Sequence, residues 1–409
     1  MRIGTKESVS IPMMGKNRLD RGPLVTACER RPLLLLGVIF MPKTLKGIFD
    51  EICSIENIEQ AYYMARRDKR YRKEILLFSA NLLDNLYKIH NKLLQEDFAP
   101  GPFHEVVIHD PKTRLIMVQP FEDRVIHWAF YRIINPFLVK GYITDSYACI
   151  EDRGQIAAVE CLQSWMYGCM HAGTGEWYYL KTDISKYFYR IPHDKLIAEF
   201  NRKISDKRVQ AWFAAQLQQT NKKFGLPLGV EATEIAPKDR LADRGVATGT
   251  LGAQMSGNLY LNPLDQYVKR ELGVKYYIRY NDDIIILHNN KKELANIRTA
   301  IKSFVTEQLN LEINPKKTAI RPIHSGVEFC GRKIYATHYR LRKSTSLRMK
   351  RNLKGIMMRY RYRDLTFEQA AQRVNSYQAL LDRGYNERLR ESIFGDKNGR
   401  GGWFVLTRE

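Results

Sequence analysis

The sequence predicts an α+β fold built on a mostly antiparallel sheet, and three observations carry that expectation. The stretch "KYYIRYNDDIIIL", Lys275 to Leu287, sets two apolar, β-prone runs on either side of Asn281-Asp282. Asn and Asp tolerate the left-handed backbone of a tight two-residue hairpin turn. A second hairpin pattern, Glu105 to Ile108 and Arg114 to Val118, is turned by Asp110-Pro111-Lys112. Around these strands, long segments repeat apolar residues at three- and four-residue spacing, the period of helices packed on one face. A βαββ core with helices to one side and a basic helical tail is the layout expected.

Taken in order, residues 1–40 read as an N-terminal extension, with an artefact of start-site assignment as the alternative. The run "PLLLLGVIFMP", Pro32 to Pro42, is too short to span a bilayer. It follows Arg30-Arg31, but no small-x-small cleavage site comes after it, so secretion is not expected. Met41 opens the first clearly globular segment. From about 45 to 96 the pattern is helical: "IENIEQAYYMARRDKRYRKE" is amphipathic and very basic, and "ANLLDNLYKIHNKLLQEDF" carries an apolar stripe. The 105–118 hairpin follows, then a helix over Asp123 to Val139. Tyr178 to Thr182 is a strand closed by Asp183, and Pro192 to Phe200 begins a helix. Residues 221–248 read as a loop, and Asn258 to Leu272 as a helix despite Pro263. After the 276–287 hairpin come a helix over Lys292 to Leu309, the segments "LEINPKKTAI" and "GVEFCGRKIY", and the basic tail.

The chain has 409 residues, enough for two or three subdomains, with 66 Lys and Arg against 44 Asp and Glu and a formal charge of +22. Such an excess points to a polyanionic partner, nucleic acid first and an anionic membrane surface second. The stretch "RLRKSTSLRMKRNLKGIMMRYRYR", Arg340 to Arg363, contains no acid and interleaves Tyr360 and Tyr362 with arginines. Phosphate neutralisation and base stacking suit it to a nucleic-acid track; a solvated or membrane-surface helix is the alternative, and the lack of a long apolar stripe argues against the membrane. Six cysteines without a Cys-x-x-Cys pair read as reduced thiols of a cytosolic protein.

The chemistry concentrates in two acidic places. Asp282 and Asp283 stand at the tip of a stiff hairpin, where they repel each other unless a cation intervenes; alone, the tip fits an ordinary surface turn equally well. The second place is "YYLKTDISKYFYRIP", Tyr178 to Pro192, in which Asp183 closes an apolar strand ahead of Lys186 and Tyr187-Phe188. A lone strand-ending Asp is unremarkable. Asp183 together with Tyr280-x-Asp282-Asp283 is a donor set suited to two divalent metals, since Mg²⁺ is held by one or two carboxylates plus substrate phosphates. Two such ions roughly 3.5–4 Å apart clamp the attacking and leaving oxygens of a phosphoryl displacement.

On these motifs the sequence resembles the reverse transcriptases, specifically the prokaryotic kind, from about Met41 to Arg390. "RYNDDIIIL" is similar to the family's Tyr-x-Asp-Asp box and "LKTDISKYF" to its first palm carboxylate motif. "HDPKTRLIMVQPFEDRVIHWAF" resembles the fingers motif, "DSYACIEDRGQIAA" the segment after it, and "GTLGAQMSGNLYLNPLDQYVK" the motif between the carboxylate boxes. "LNLEINPKKT" and "VEFCGRKI" resemble the lysine-bearing loop and the primer grip, and "NSYQALLDRGYNERLR" a thumb segment of diversity-generating retroelement enzymes.

The resemblance implies a right-hand polymerase with fingers and palm over 41–334 and a short basic helical thumb over 335–409. It implies RNA-directed DNA synthesis with two Mg²⁺ ions, dNTPs, an RNA template and a cDNA product. Carried over by position, Asp183, Asp282 and Asp283 ligate the metals with the Ile184 carbonyl, and Lys317 protonates the leaving pyrophosphate. Arg114 and Lys112 reach the incoming triphosphate, a role that suits a bidentate guanidinium. Phe188 falls at the steric-gate position that excludes a 2′-hydroxyl, and Gln254 lies near the template base or nascent pair. Plain readings stand beside these: a solvated hairpin charge for Arg114, core packing for Phe188, a basic surface residue for Lys317.

Departures refine the resemblance. Between the carboxylate boxes this chain reads Thr248-Gly249-Thr-Leu-Gly-Ala253-Gln254, with Ala where the retroelement enzymes carry Ser and Thr where they carry an aliphatic residue. Together with Asn281 in the variable box position, this places the chain nearer the bacterial reverse transcriptases of antiphage defence, which work with a structured noncoding RNA in the cytoplasm. Mutagenic homing of a retroelement is the alternative within the same chemistry, and a catalytically quiet RNA-binding scaffold the alternative outside it. No maturase, endonuclease or RNase H segment is recognised. Protein priming through one of the 23 tyrosines and homo-oligomer formation stay open.

Overall fold

A computed structural model describes residues 44–108, 114–217, 223–230, 234–236, 239–396 and 400–407. The extension expected over 1–40 and Lys112 lie outside the described residues. The chain divides into two compact units. Of the described residues, the larger holds those within 44–158 and 173–323, and the smaller those within 159–172 and 324–407. The boundary expected after residue 334 falls inside the smaller unit.

The larger unit centres on a four-stranded antiparallel sheet in the order β4-β5-β3-β6, with β3 Tyr178–Asp183, β4 Tyr276–Tyr280, β5 Asp283–His288 and β6 Ala319–Pro322. Ile284, Ile285 and Ile286 are all fully buried, as are Leu180, Tyr277 and Ile278. Consecutive buried residues on one strand mean that both faces of the sheet are covered. The helix Lys291–Glu307 packs on β3 and β5. It does so through Leu294, Ile297, Ile301 and Val305, a stripe at helical spacing. Asn290 begins that helix by accepting from the amides of Lys292 and Glu293, satisfying two of the donors a helix start leaves over.

The helices Phe121–Lys140 and His193–Lys203 both pack on the helix Leu251–Gln266 within this unit. The segment expected to be helical over 45–96 is four helices, Phe49–Cys53, Ile55–Ala65, Lys73–Ala80 and Leu82–Leu94. The hairpin β1 His104–Ile108 and β2 Arg114–Val118 forms as expected. Its β2 strand is anchored from the side: the Met117 amide donates to the Thr248 carbonyl at 3.0 Å. One expectation needs correction. The helix placed at Asn258 starts at Leu251, because the Thr250 hydroxyl accepts from the Ala253 amide and caps it there. Past Pro263 it continues as one π-helical turn, Tyr267–Glu271. Two further helices, Gln155–His171 and Lys207–Leu217, were not expected.

The smaller unit carries a three-stranded antiparallel sheet, β7 Val327–Phe329, β8 Arg332–Ile334 and β9 Tyr339–Leu341. The helices Lys343–Arg361, Phe367–Leu381 and Glu387–Phe394 follow, closed around Met349, Leu353, Ile356, Val374, Leu381 and Ile393. The fold is α+β, as expected. Among the described residues no helix is long and apolar enough to cross a membrane.

Candidate active site

Strand pairing alone assembles the acidic residues. In the β3–β5 register Asp183 lies directly opposite Asp283. In the β4–β5 register Tyr280 lies opposite Asp283, so Asn281 and Asp282 form a two-residue turn. Asn281 has φ of 53°, the left-handed conformation that Asn tolerates better than most residues. The bland reading of that tip as a surface turn fails on environment. Burial, with the charges of Asp183 and Asp283 behind it, pushes the Asp282 carboxyl up to about 6. Asp283 is also raised, chiefly by burial, although Lys181 lies 3.8 Å away and acts in the other direction.

The backbone of Asp183 is fixed from the other side of β3. The Asn314 amide donates to the Asp183 carbonyl at 2.8 Å, and the Ser185 amide donates to the Glu312 carbonyl at 2.7 Å. Ile184 faces Ile313 in an isolated antiparallel bridge. Successive residues of an antiparallel strand bond to alternate sides. The Ile184 carbonyl therefore points away from 312–314, toward the side on which β5 and Asp283 lie. Glu312 is held in turn: buried Arg190 donates to its Oε2 at 2.6 Å, and the Gly229 amide donates to the same oxygen at 3.0 Å.

Lys317 enters from the short 3₁₀ turn Pro315–Lys317 and donates from Nζ to Asp183 Oδ2 at 2.6 Å. Burial lowers its affinity for a proton, but the hydrogen bond to Asp183 and the charges of all three aspartates outweigh that, and its pKa is raised. Its side chain is exposed, and its ammonium is set against the acidic cluster.

Phe188 lies on the short helix Tyr187–Arg190 and is half-buried. A Cβ at Gly257 would stand 2.9 Å from Phe188 Cε1, closer than side chains approach without one of them shifting. Tyr187 donates to the Gly257 carbonyl at 2.6 Å. Glycine at 257 is thus what lets the Phe188 ring lie against the helix Leu251–Gln266. Gln254 is exposed one turn earlier on that helix, three residues before Gly257 and so on the same face. Arg114 pairs with Ile108 in β2; its side chain, like Lys112, lies outside what is described.

Asp183, Ile184, Asp282, Asp283 and Lys317 are therefore brought together, and the Phe188 ring lies at Gly257 of the helix that also carries Gln254. Sequence reasoning missed Arg190, Glu312, Asn314 and Gly257, which fix these groups, and Arg279 of β4, whose side chain is fully buried. Only Arg279 left a signal, a charge inside an otherwise apolar strand. The donor set fits a hard divalent cation: carboxylates that repel one another and a backbone carbonyl. Among the described residues no group of three or more acidic, imidazole or thiolate side chains is arranged to hold a metal ion by itself. An open arrangement completed by substrate phosphates is what Mg²⁺ uses.

Residues 108–334, more than half of the chain, match the family model for reverse transcriptase (RNA-dependent DNA polymerase). The chain is 24% identical over 292 residues to Protein YkfC of Escherichia coli (strain K12), covering 63% of this chain and 73% of that protein. It is 25% identical over 209 residues to the Putative COX1/OXI3 intron 2 protein of Saccharomyces cerevisiae, covering 40% of this chain but only 24% of that protein. Among solved structures, apo telomerase from Candida tropicalis truncated from its C-terminal domain aligns with a TM-score of 0.42 and 12% identity, over 60% of this chain and 55% of that one. Telomerase from Candida albicans with a fragment of telomeric RNA aligns with the same score and identity, over 66% and 50%.

Proposed function

Since the chain belongs to the reverse transcriptase (RNA-dependent DNA polymerase) family, we propose that it extends a 3′-hydroxyl with deoxynucleotides by a two-metal route. The setting proposed is bacterial antiphage defence, in the cytoplasm, with a structured noncoding RNA as template. The observation that carries the chemistry is the strand register that sets Asp183 opposite Asp283 beside Asp282, with Lys317 bonded to Asp183.

Asp183, Asp282, Asp283 and the Ile184 carbonyl are the groups that would hold Mg²⁺. When bound, the ions would neutralise charge on the triphosphate and favour the ionised 3′-oxygen. The new bond forms from that oxygen to the α-phosphorus while the bond to the bridging oxygen breaks, and pyrophosphate leaves. Lys317 keeps a proton at Nζ beside this site, in place to pass it to the leaving group. Phe188 and its glycine-backed position are suited to exclude a 2′-hydroxyl. The exposed Arg351, Lys354, Arg359, Arg361 and Tyr362 of and just beyond the helix Lys343–Arg361 suit phosphate neutralisation and stacking, so binding of an RNA–DNA duplex is expected to weaken steeply with salt.

The defence setting rests on the resemblance and on Thr248, Ala253 and Asn281, and is tested by phage plating on cells carrying the wild-type or the Asp282→Ala/Asp283→Ala chain. Equal plaque counts on both would remove it. For the chemistry, Lys317→Ala is expected to slow single-nucleotide incorporation roughly 100-fold or more, within the range of a positioned general acid. Quenched-flow measurement on a primed RNA template checks this. A rate within threefold of wild type would leave Lys317 as a counter-charge only.

A further inference from the structure

β4 carries one charged residue, and it points inward. Arg279 and Asp265 both have a relative exposure of 0%. Nε and Nη2 of Arg279 donate to the two oxygens of Asp265 at 2.8 and 2.6 Å, the bidentate geometry particular to a guanidinium. The remaining nitrogen, Nη1, donates to the main-chain carbonyl of Asn281 at 3.0 Å and reaches Asn258 Oδ1 at 3.4 Å. Asp265 also accepts from the Tyr277 hydroxyl at 2.6 Å. Asn258 is itself tied down, donating to the Ala148 carbonyl at 2.7 Å. Asp265 and Asn258 belong to the helix Leu251–Gln266, the one that backs Phe188 through Gly257.

We propose that Arg279 is a positioning residue for DNA synthesis: its guanidinium ties the Asn281 carbonyl, and with it the peptide that leads into Asp282, to the helix behind the sugar-gate ring. This rests on the reading of Asp282 as a metal-holding carboxylate. Stability alone gives a poor reason for the arrangement, because desolvating a buried ion pair offsets most of its attraction, and apolar replacement of both partners is often neutral or stabilising. What an apolar pair cannot supply is a donor to a left-handed turn residue. Lysine keeps the charge for Asp265 but is a point donor without the planar fork. The fork serves the carboxylate with one edge and the Asn281 carbonyl with its remaining nitrogen, so one rigid group fixes two elements.

The test uses the full chain as Arg279→Lys and as the paired variant Arg279→Met/Asp265→Leu, which leaves no unpaired buried charge. Folding is followed by circular dichroism and duplex binding, and catalysis by kcat and dNTP KM on a primed RNA template. Both variants are expected to fold and bind duplex, with kcat lowered roughly 100-fold, the cost of displacing a reacting group by about 1 Å, and KM changed less than about threefold. A folded variant of either kind with kcat within about threefold of wild type overturns the positioning role. Loss of folding in both variants also overturns it, and assigns the pair to the fold. A wild-type chain that makes no DNA removes the polymerase reading itself, and the inference with it, which separates the two failures.

Discussion

Asp282→Asn is expected to abolish DNA synthesis and, in the same protein, to raise the melting temperature in the absence of divalent metal. The loss follows from removing one of the carboxylates that would hold the metals. Forfeiting several kcal/mol of charge stabilisation, at about 1.4 kcal/mol per factor of ten, lowers incorporation by roughly 1000-fold or more. The gain follows from the environment of Asp282. Its carboxyl is held at about 6 rather than 3.8, first by burial and then by Asp183 and Asp283. A raised carboxyl makes the folded chain bind more protons than the unfolded chain between about pH 4 and 6, so stability falls as pH rises through that window. At neutral pH the ionised folded protein carries a penalty of roughly 3 kcal/mol at most, and a neutral amide of the same shape relieves it. Thermal melts in chelator, at pH 4.5 and at pH 7.5, check the sign: the variant's advantage should grow with pH. A variant that is less stable than wild type at pH 7.5 would mean that the site is not electrostatically strained.

Phe188→Ala is expected to admit ribonucleotides. The ring lies against the helix Leu251–Gln266 at Gly257, with Tyr187 fixed beside it through the Gly257 carbonyl. The Phe188 carbonyl accepts from the Val246 amide at 2.8 Å, which holds the backbone in place when the side chain is cut back. Because the ring is only half-buried, the stability cost should stay below the roughly 3–5 kcal/mol of a fully buried phenylalanine. The ratio of kcat/KM for dNTP over rNTP is expected to fall by about 100-fold, comparable to what a pocket achieves against one added hydroxyl. Steady-state incorporation of the two nucleotide series checks it. Gly257→Ala is the companion variant: its Cβ pushes on the intact ring and should lower dNTP use instead. An unchanged ratio in Phe188→Ala, with the protein folded, would return Phe188 to plain packing.

The palm was legible because its information is local. Two β-prone runs around Asn281-Asp282 can hardly form anything but a hairpin, and an apolar strand ended by Asp183 needed only to pair with it. The register that sets Asp183 opposite Asp283 then followed from the fold. The contacts that make the site rigid were not legible, because each joins residues distant in sequence. Arg279 gave a sign of itself as a charge within a strand, but nothing in the sequence names Asp265 and the Asn281 carbonyl as its partners. Glu312 and Arg190 read as ordinary charges until the fold places one against the other. The helix start at Leu251 was hidden by Gly249 and Gly252, whose low helix propensity is overridden by the Thr250 cap. The helix Gln155–His171 spreads its apolar residues around too much of its circumference for the period to stand out. Arg114 was placed correctly in its strand, where it pairs with Ile108.

The most direct measurement begins with the chain purified together with the RNA it carries. Labelled dNTPs and Mg²⁺ are added, the product is sequenced, and the Asp282→Ala/Asp283→Ala protein serves as the blank. DNA made by the wild-type chain alone, complementary to the bound RNA, is the expected result. Absence of DNA from the wild-type chain, both on its own RNA and on a supplied primed RNA template, would contradict the assignment of Asp183, Asp282 and Asp283 to catalysis and leave an RNA-binding scaffold in its place.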